Sequence, residues 1–260
     1  LRRPSLVDGV VAISQAMIDA AEGSDAVFTS PNFNVSTTSY GPTFSVVSGR
    51  GEVRDALGAF IEGAQESVWI ASGHLRSRQV VDSLRRLAQE RPDVDIRVYV
   101  DAQEYKSTGY RDEEEADFQL CLSDANTSTQ TQNCLDAGAH FSWDLHHEGV
   151  ATRFKYYAYR WHYSYAAQMH HKYLIVDGDQ LATGSYNLSN NAEKDTFENM
   201  VFLSGDRYPE LVAAYVANFE SIWAAGDGLY GPLLDEVEGG AGDVPLVFPS
   251  MAIDWDQVTA

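Results

Sequence analysis

Cysteine is almost absent: Cys121 and Cys134 are the only two in 260 residues. No Cys/His spacing of a structural zinc site occurs, which excludes a metal-stapled domain of zinc-finger type. Basic side chains are also scarce, 18 Lys and Arg against 38 Asp and Glu, for a net charge of -20. A surface of that sign repels polyphosphates at long range, so the general surface does not recruit nucleic acid. A locally basic cleft is still allowed, because charges are screened beyond roughly 8 Å at physiological salt. Long apolar runs are missing too. The stretch LVDGVVAISQAMI is broken by Asp8, Ser14 and Gln15, which excludes both a membrane span and a signal peptide there. The chain opens at Leu1 instead of methionine, and the expectation is that a signal peptide, a linker or another domain was removed upstream.

Hydrophobic residues make up 44% of the chain, enough to bury a sizeable core, and one large domain or one domain with appendages is expected. Apolar residues recur at helical spacing from Leu6 to Ala21, followed by a turn-rich connection over 29–43. An α/β rhythm then sets in: strand 44–48, helix 51–65, strand 67–72, helix 76–90, strand 94–100. Such alternation predicts an α/β fold, a parallel or mixed sheet flanked by helices. Residues 101–138 read as an insertion whose acidic run, Asp112 to Glu115, is a solvated helix start without the spacing of a calcium loop. The two cysteines bracket SDANTSTQTQN, a polar segment with little reason to be ordered unaided. A disulfide closing it, with a secreted or periplasmic location, is the economical reading; two buried free thiols are the rival. After a strand NMVFL, a helix from Tyr208 to Ala224 turns Trp223 inward. The resulting partition is an N-terminal helix and connection (1–43), a catalytic domain (44–225) and a surface tail (226–260).

The chemistry concentrates in Met169 to Asn187, MHHKYLIVDGDQLATGSYN. Side chains of a strand alternate faces, so His170 and Lys172 share one face and His171 points to the other, a structural position. Asp177-Gly178 favours a two-residue type I′ hairpin, which pairs Val176 with Asp179, Leu174 with Leu181, Lys172 with Thr183 and His170 with Ser185. A lone strand histidine or a Ser-x-Asn turn is ordinary structure. Together, a lysine, an imidazole, the Ser185 hydroxyl and the Asn187 amide can hold the oxygens of a phosphate while the imidazole attacks phosphorus.

At these spacings, His170-x-Lys172-x4-Asp177-x6-Gly184-Ser185-x-Asn187 resembles the complete HKD motif of the phospholipase D superfamily, without substitution, and the resemblance extends loosely over residues 44–225. It implies a phospholipase D-like lobe and a phosphodiesterase that needs no metal or other cofactor and works through a phosphohistidine on His170. Glu198, eleven residues after Asn187, sits where many single-motif members keep a glutamate that orients the histidine, and is expected to accept from the His170 imidazole. Asp177, counted with the motif, is expected to shape the hairpin more than to touch substrate.

Members of the superfamily build one site from two such motifs, one histidine attacking phosphorus and the other protonating the leaving alcohol. No second His-x-Lys occurs here. The missing half is expected from a homodimer, or from a second lobe of a longer protein. The substrate expected is a phospholipid head group or another small phosphodiester, with peripheral membrane contact allowed. One alternative is a single-motif endonuclease cutting nucleic acid as a homodimer; another is a phosphate-binding lobe inactive alone.

Substrate-binding candidates come from two further places. The segment RFKYYAYRWHYSYAAQ (153–168) interleaves Arg153, Lys155 and Arg160 with aromatics. It reads either as an aromatic core with exposed cations or as a wall that grips a head group, lies at a lipid interface or stacks on bases. His74 follows the second strand, at a strand end where such folds place chemistry, and is otherwise a loop histidine. Arg76 and Arg78 open the next helix, near enough to touch an anion at the cleft rim.

Overall fold

The computed structural model describes residues 38–39, 44–48, 52–101, 108–137, 141–155, 169–194, 196 and 198–239. The helix expected over Leu6–Ala21, the aromatic segment from 156 to 168 with Arg160, and the tail beyond 239 lie outside them. Eight strands form one mixed sheet: β1 (Thr38–Ser39), β2 (Phe44–Ser48), β3 (Ser67–Ser72), β5 (Asp95–Asp101), β6 (Ala151–Lys155), β7 (Lys172–Val176), β8 (Gln180–Gly184) and β10 (Asn199–Ser204). Their spatial order is β1-β2-β10-β8-β7-β3-β5-β6. β3, β5 and β6 run parallel to one another; the other pairs are antiparallel. Two short strands, β4 (Leu75–Arg76) and β9 (Leu188–Ser189), pair separately and tie the segment after β3 to the segment after β8.

Strict alternation along the central strands buries both faces. Val68, Ile70, Val98, Leu174 and Val176 pack with Val53, Leu57 and Ile61 of α1 (Glu52–Glu62), with Val80, Leu84 and Leu87 of α2 (Arg78–Glu90), with Leu145 of α5 (Phe141–His147) and with Ala192 of α6 (Asn190–Lys194). The intervening residues Tyr173, Ile175 and Leu181 pack with Val212 and Phe219 of α7 (Pro209–Gly239) on the other face. Phe219 stacks on Trp69 at 5.2 Å and on Trp223 at 5.7 Å, so Trp223 does turn inward. The α7 helix does not stop near Ala224 but continues to Gly239, into the segment expected as a surface tail. Among the described residues no helix is long and apolar enough to cross a membrane.

The insertion forms α3 (Thr108–Asp124) and α4 (Ser128–Ala137), and a Cys121–Cys134 disulfide joins them with Cα atoms 5.8 Å apart. The polar segment between the cysteines is therefore mostly helical. Thr127 caps α4, its hydroxyl accepting the Gln130 N–H at 3.2 Å while the Gln130 side chain accepts the Asn126 N–H at 2.9 Å.

The hairpin after β7 departs from the expected register by one residue. Asp177 and Gly178 take the positive φ values of 53° and 68° that the turn demands, and the Asp179 N–H closes it on the Val176 carbonyl at 3.2 Å. Val176 then pairs with Gln180, and Leu174 with Ala182, leaving Asp179 as an extra residue. The cause lies outside the hairpin: the Gly205 N–H bonds the Asp179 carbonyl at 2.6 Å, holding that residue out of the ladder.

Asp177 itself secures the hairpin to the sheet. Its carboxylate accepts the N–H groups of Gln65, Glu66 and Ser67 at 2.7–2.9 Å, at the far end of β7 from His170. Burial pushes this carboxyl up, but the three N–H donors and Arg91 outweigh it and hold it below its ordinary value. A depressed folded value means stability that is present above the unfolded carboxyl pKa of about 3.9 and is lost as pH falls through the folded value. Asp177→Asn keeps the turn conformation but loses the charge; we expect a loss of about 2 kcal/mol at pH 7 that shrinks below about pH 4. Chemical denaturation at pH 7 and pH 3 checks this.

Candidate active site

The backbone that carries His170 is clamped on both sides. The Met169 N–H donates to the buried Asp101 carboxylate at 2.9 Å, and the Gly73 N–H donates to the His171 carbonyl at 3.1 Å. A Cβ at position 73 would stand 2.8 Å from the Met169 carbonyl oxygen, so only glycine allows that approach. The His170 ring is exposed, and the Lys172 ammonium, at the first residue of β7, lies 3.4 and 3.3 Å from its two ring nitrogens. Burial lowers the Lys172 pKa, an effect partly offset by the charge of Glu198.

The Gly-Ser-x-Asn loop reaches the same place from β8. The Ser185 N–H donates to the Asn199 carbonyl at 3.0 Å and the Ser185 hydroxyl oxygen accepts the Asn199 N–H at 3.1 Å, which leaves the hydroxyl proton to be donated elsewhere. Tyr186 points the opposite way, into the core, where its hydroxyl donates to Glu193 at 2.7 Å. Burial, with the adjacent carboxylate, pushes this phenol far up, so it remains a donor. With Tyr186 anchored, Asn187 returns to the cleft, its Oδ1 buried and without a hydrogen-bond partner among the described residues. His170, Lys172, Ser185 and Asn187 thus line one open cleft of about 520 Å³.

Other predicted residues are placed differently. His171 is no structural residue on a far face: it lines the same cleft, its ring 5.2 Å from that of Tyr173. Burial, then Lys155 and Lys172, holds it below the ordinary imidazole value. Lys155, at the end of β6, is therefore close enough to act on the cleft. Arg153 is not: its guanidinium lies 4.1 Å from the Trp223 ring centre and donates to the Trp223 carbonyl, binding β6 to α7. Glu198 makes no hydrogen bond to His170 among the described residues; it accepts from the Thr196 hydroxyl at 2.8 Å and acts on Lys172 through its charge. His74 is half-buried beside β3, outside the cleft lining, with its N–H donating to the Ser72 hydroxyl at 3.3 Å. Arg78 pairs with Asp82 at 3.4 Å and lines a separate polar groove. Thr183 and Tyr215 line the cleft and were not foreseen; Tyr215 comes from α7, and nothing in its own neighbourhood of sequence marks it. Among the described residues, no group of three or more His, Cys, Asp or Glu is placed to hold a metal.

Over residues 57–223 the sequence matches the family model described as cardiolipin synthase, PLD-like domain. The chain belongs to the phospholipase D-like family. It is 40% identical over 58 residues to the mitochondrial cardiolipin hydrolase of Chlamydomonas reinhardtii, 22% of this chain and 25% of that protein. It is 38% identical over 64 residues to the mitochondrial cardiolipin hydrolase of Danio rerio, 25% and 27% of the two. The chain thus spans about a quarter of the length of these relatives. Solved structures similar to it include Nuc, a phospholipase D family member from Salmonella typhimurium, at 20% identity and a TM-score of 0.43, covering 70% of this chain and 96% of that one. NucT from Helicobacter pylori is similar at 16% identity and a TM-score of 0.43, with the same two coverages.

Proposed function

We propose that this phospholipase D-like chain hydrolyses phosphodiesters of phospholipid head groups without a metal, through a phosphohistidine on His170. The observation that carries this is the Lys172 ammonium within 3.4 Å of both His170 ring nitrogens, in a cleft that also presents Ser185 and Asn187. A ring nitrogen forms a bond to phosphorus as the bond to the alcohol oxygen breaks; water then cleaves the phosphorus–nitrogen bond and frees the histidine. Lys172, the Ser185 hydroxyl and the Asn187 amide hold the phosphoryl oxygens as charge develops on them.

The departing alkoxide needs a proton, and a general acid of near-neutral pKa contributes roughly 10² to 10⁴ in rate. With one His-x-Lys in the chain, we assign that acid to His170 of a second copy across a twofold axis. Two cardiolipin hydrolases matching at 38–40% identity support a lipid substrate. The disulfide supports an oxidising compartment, secreted or periplasmic.

The test is an assay in EDTA of the purified chain against cardiolipin vesicles, supercoiled plasmid and a chromogenic diester, with its solution mass measured alongside. Chelator-resistant hydrolysis of lipid by a dimer is expected. Nicked plasmid beside intact lipid would transfer the assignment to an endonuclease, and a monomer active at full rate would remove the second imidazole.

A further inference from the structure

Beside the cationic corner made by His170 and Lys172, the cleft has a lining that phosphate chemistry does not use. Thr183 of β8 and Tyr215 of α7 both face it, and both are half-buried. Their hydroxyl oxygens lie 3.4 Å apart. Thr183 donates to the Lys172 carbonyl at 3.3 Å, so its proton is directed at the backbone and its lone pairs are left to accept. Hydroxyl donors normally stand about 2.5–3.0 Å from an oxygen acceptor, so both contacts are long, and the Tyr215 proton is weakly engaged.

The Tyr215 ring is nevertheless fixed. It packs edge-on against Tyr173 at 5.0 Å and 86°, and Tyr173, itself buried, is pinned to the same helix by its hydroxyl donating to Asn218 at 2.8 Å. A phenol held rigidly, with a weakly committed proton beside an uncommitted acceptor, is preorganised for a neutral hydroxyl. Neither group carries a formal charge to compete with Lys172 for the phosphate.

We infer that Thr183 and Tyr215 form a subsite for a hydroxyl on the alcohol arm of the diester, so that arms bearing a further hydroxyl are preferred over alkyl arms. This deepens the phosphodiesterase reading and rests on it. The Tyr215 hydroxyl donates to the substrate hydroxyl, which in turn donates to Thr183 Oγ1, and two bonds of ordinary length replace one long contact. A site built this way rejects an analogue lacking the hydroxyl, because its own polar groups are then left unpaired.

Calorimetric binding of glycerol 3-phosphate, ribose 5-phosphate and propyl phosphate to the whole chain tests the subsite. Wild type is expected to bind at least one of the two hydroxylated ligands about tenfold more tightly than propyl phosphate, and Tyr215→Phe to narrow that preference to about twofold. The isosteric Thr183→Val reads the same contact should Tyr215→Phe fail to fold. A glyceryl preference identifies a lipid-type arm and a ribosyl preference a nucleic-acid-type arm; both support the subsite. Equal binding of all three by wild type, no binding of any, or an equal loss for all three in Tyr215→Phe overturns it. Because binding is read without turnover, a preference that persists in a chain with no hydrolytic activity would sink the phosphodiesterase reading and leave the subsite standing.

Discussion

Replacing His170 by alanine is expected to lower turnover of a chromogenic phosphodiester by about 10⁴-fold or more, because it removes the proposed nucleophile. Lys172 is an ammonium at neutral pH, and although burial lowers its pKa, Glu198 pulls in the other direction. The neighbouring His171 ring lies against Tyr173, and among the described residues no hydrogen-bonding contact joins it to the Lys172 ammonium that His170 touches. Stability should not follow activity. The His170 side chain is exposed and, among the described residues, its hydrogen-bonding contacts are with Lys172 alone, so the substitution should change stability by no more than about 0.5 kcal/mol. That corresponds to a melting temperature within about 2 °C of wild type. Rate and melting curve measured on the same preparation separate the outcomes: a variant as active as wild type would remove His170 as nucleophile, and one that melts far lower would make it a structural residue.

How far such a site can be read from its chain depends on where each residue's partners lie. His170 and Lys172 stand two positions apart, His170 just before β7 and Lys172 at its first residue, so their meeting follows from local geometry, and the central strands and α2 follow from alternation and helical spacing. The register of the hairpin did not, since the bond that displaces Asp179 comes from Gly205 at the far end of β10. Arg153 looked like a phosphate ligand by composition, but the helix that supplies Trp223 arrives only after the whole motif has passed. Tyr215 was hidden for the same reason: whether a tyrosine on an amphipathic helix faces core or cleft is decided by the sheet it lands on. Strand alternation does not place His171, which precedes the strand. β7 begins only at Lys172, and before it the chain is free to turn both histidines toward the cleft. The Thr127-x-x-Gln130 cap has the spacing of a capping box, and it orders a segment whose polar composition alone suggests disorder.

Gly184→Ala should damage both the fold and the chemistry, and by a route that distinguishes crowding from backbone conformation. A Cβ at position 184 would stand 2.0 Å from the Asn199 carbonyl oxygen, 2.9 Å from its carbon and 3.0 Å from the Met200 Cα. These are backbone atoms of β10, and no rotamer change removes them. β8 and β10 must separate, which breaks the Met200–Gly184 pairing and strains the two bonds between Ser185 and Asn199. Overpacking of this kind costs about 3 kcal/mol, or a fall of roughly 6–12 °C in melting temperature for a chain of this size. The Ser185 hydroxyl and Asn187 amide move with the strand, and a displacement near 1 Å is worth about 10² in rate. Gly178→Ala is the informative comparison. That glycine has φ +68° but nothing within 4 Å of its would-be Cβ, so its replacement carries only the conformational cost, about 1 kcal/mol, at the end of β7 remote from the cleft. Activity should survive at Gly178 and fail at Gly184. If Gly184→Ala melts within a degree of wild type and turns over normally, the strands do not approach as closely as this geometry requires, and the glycine of the motif serves some purpose other than space.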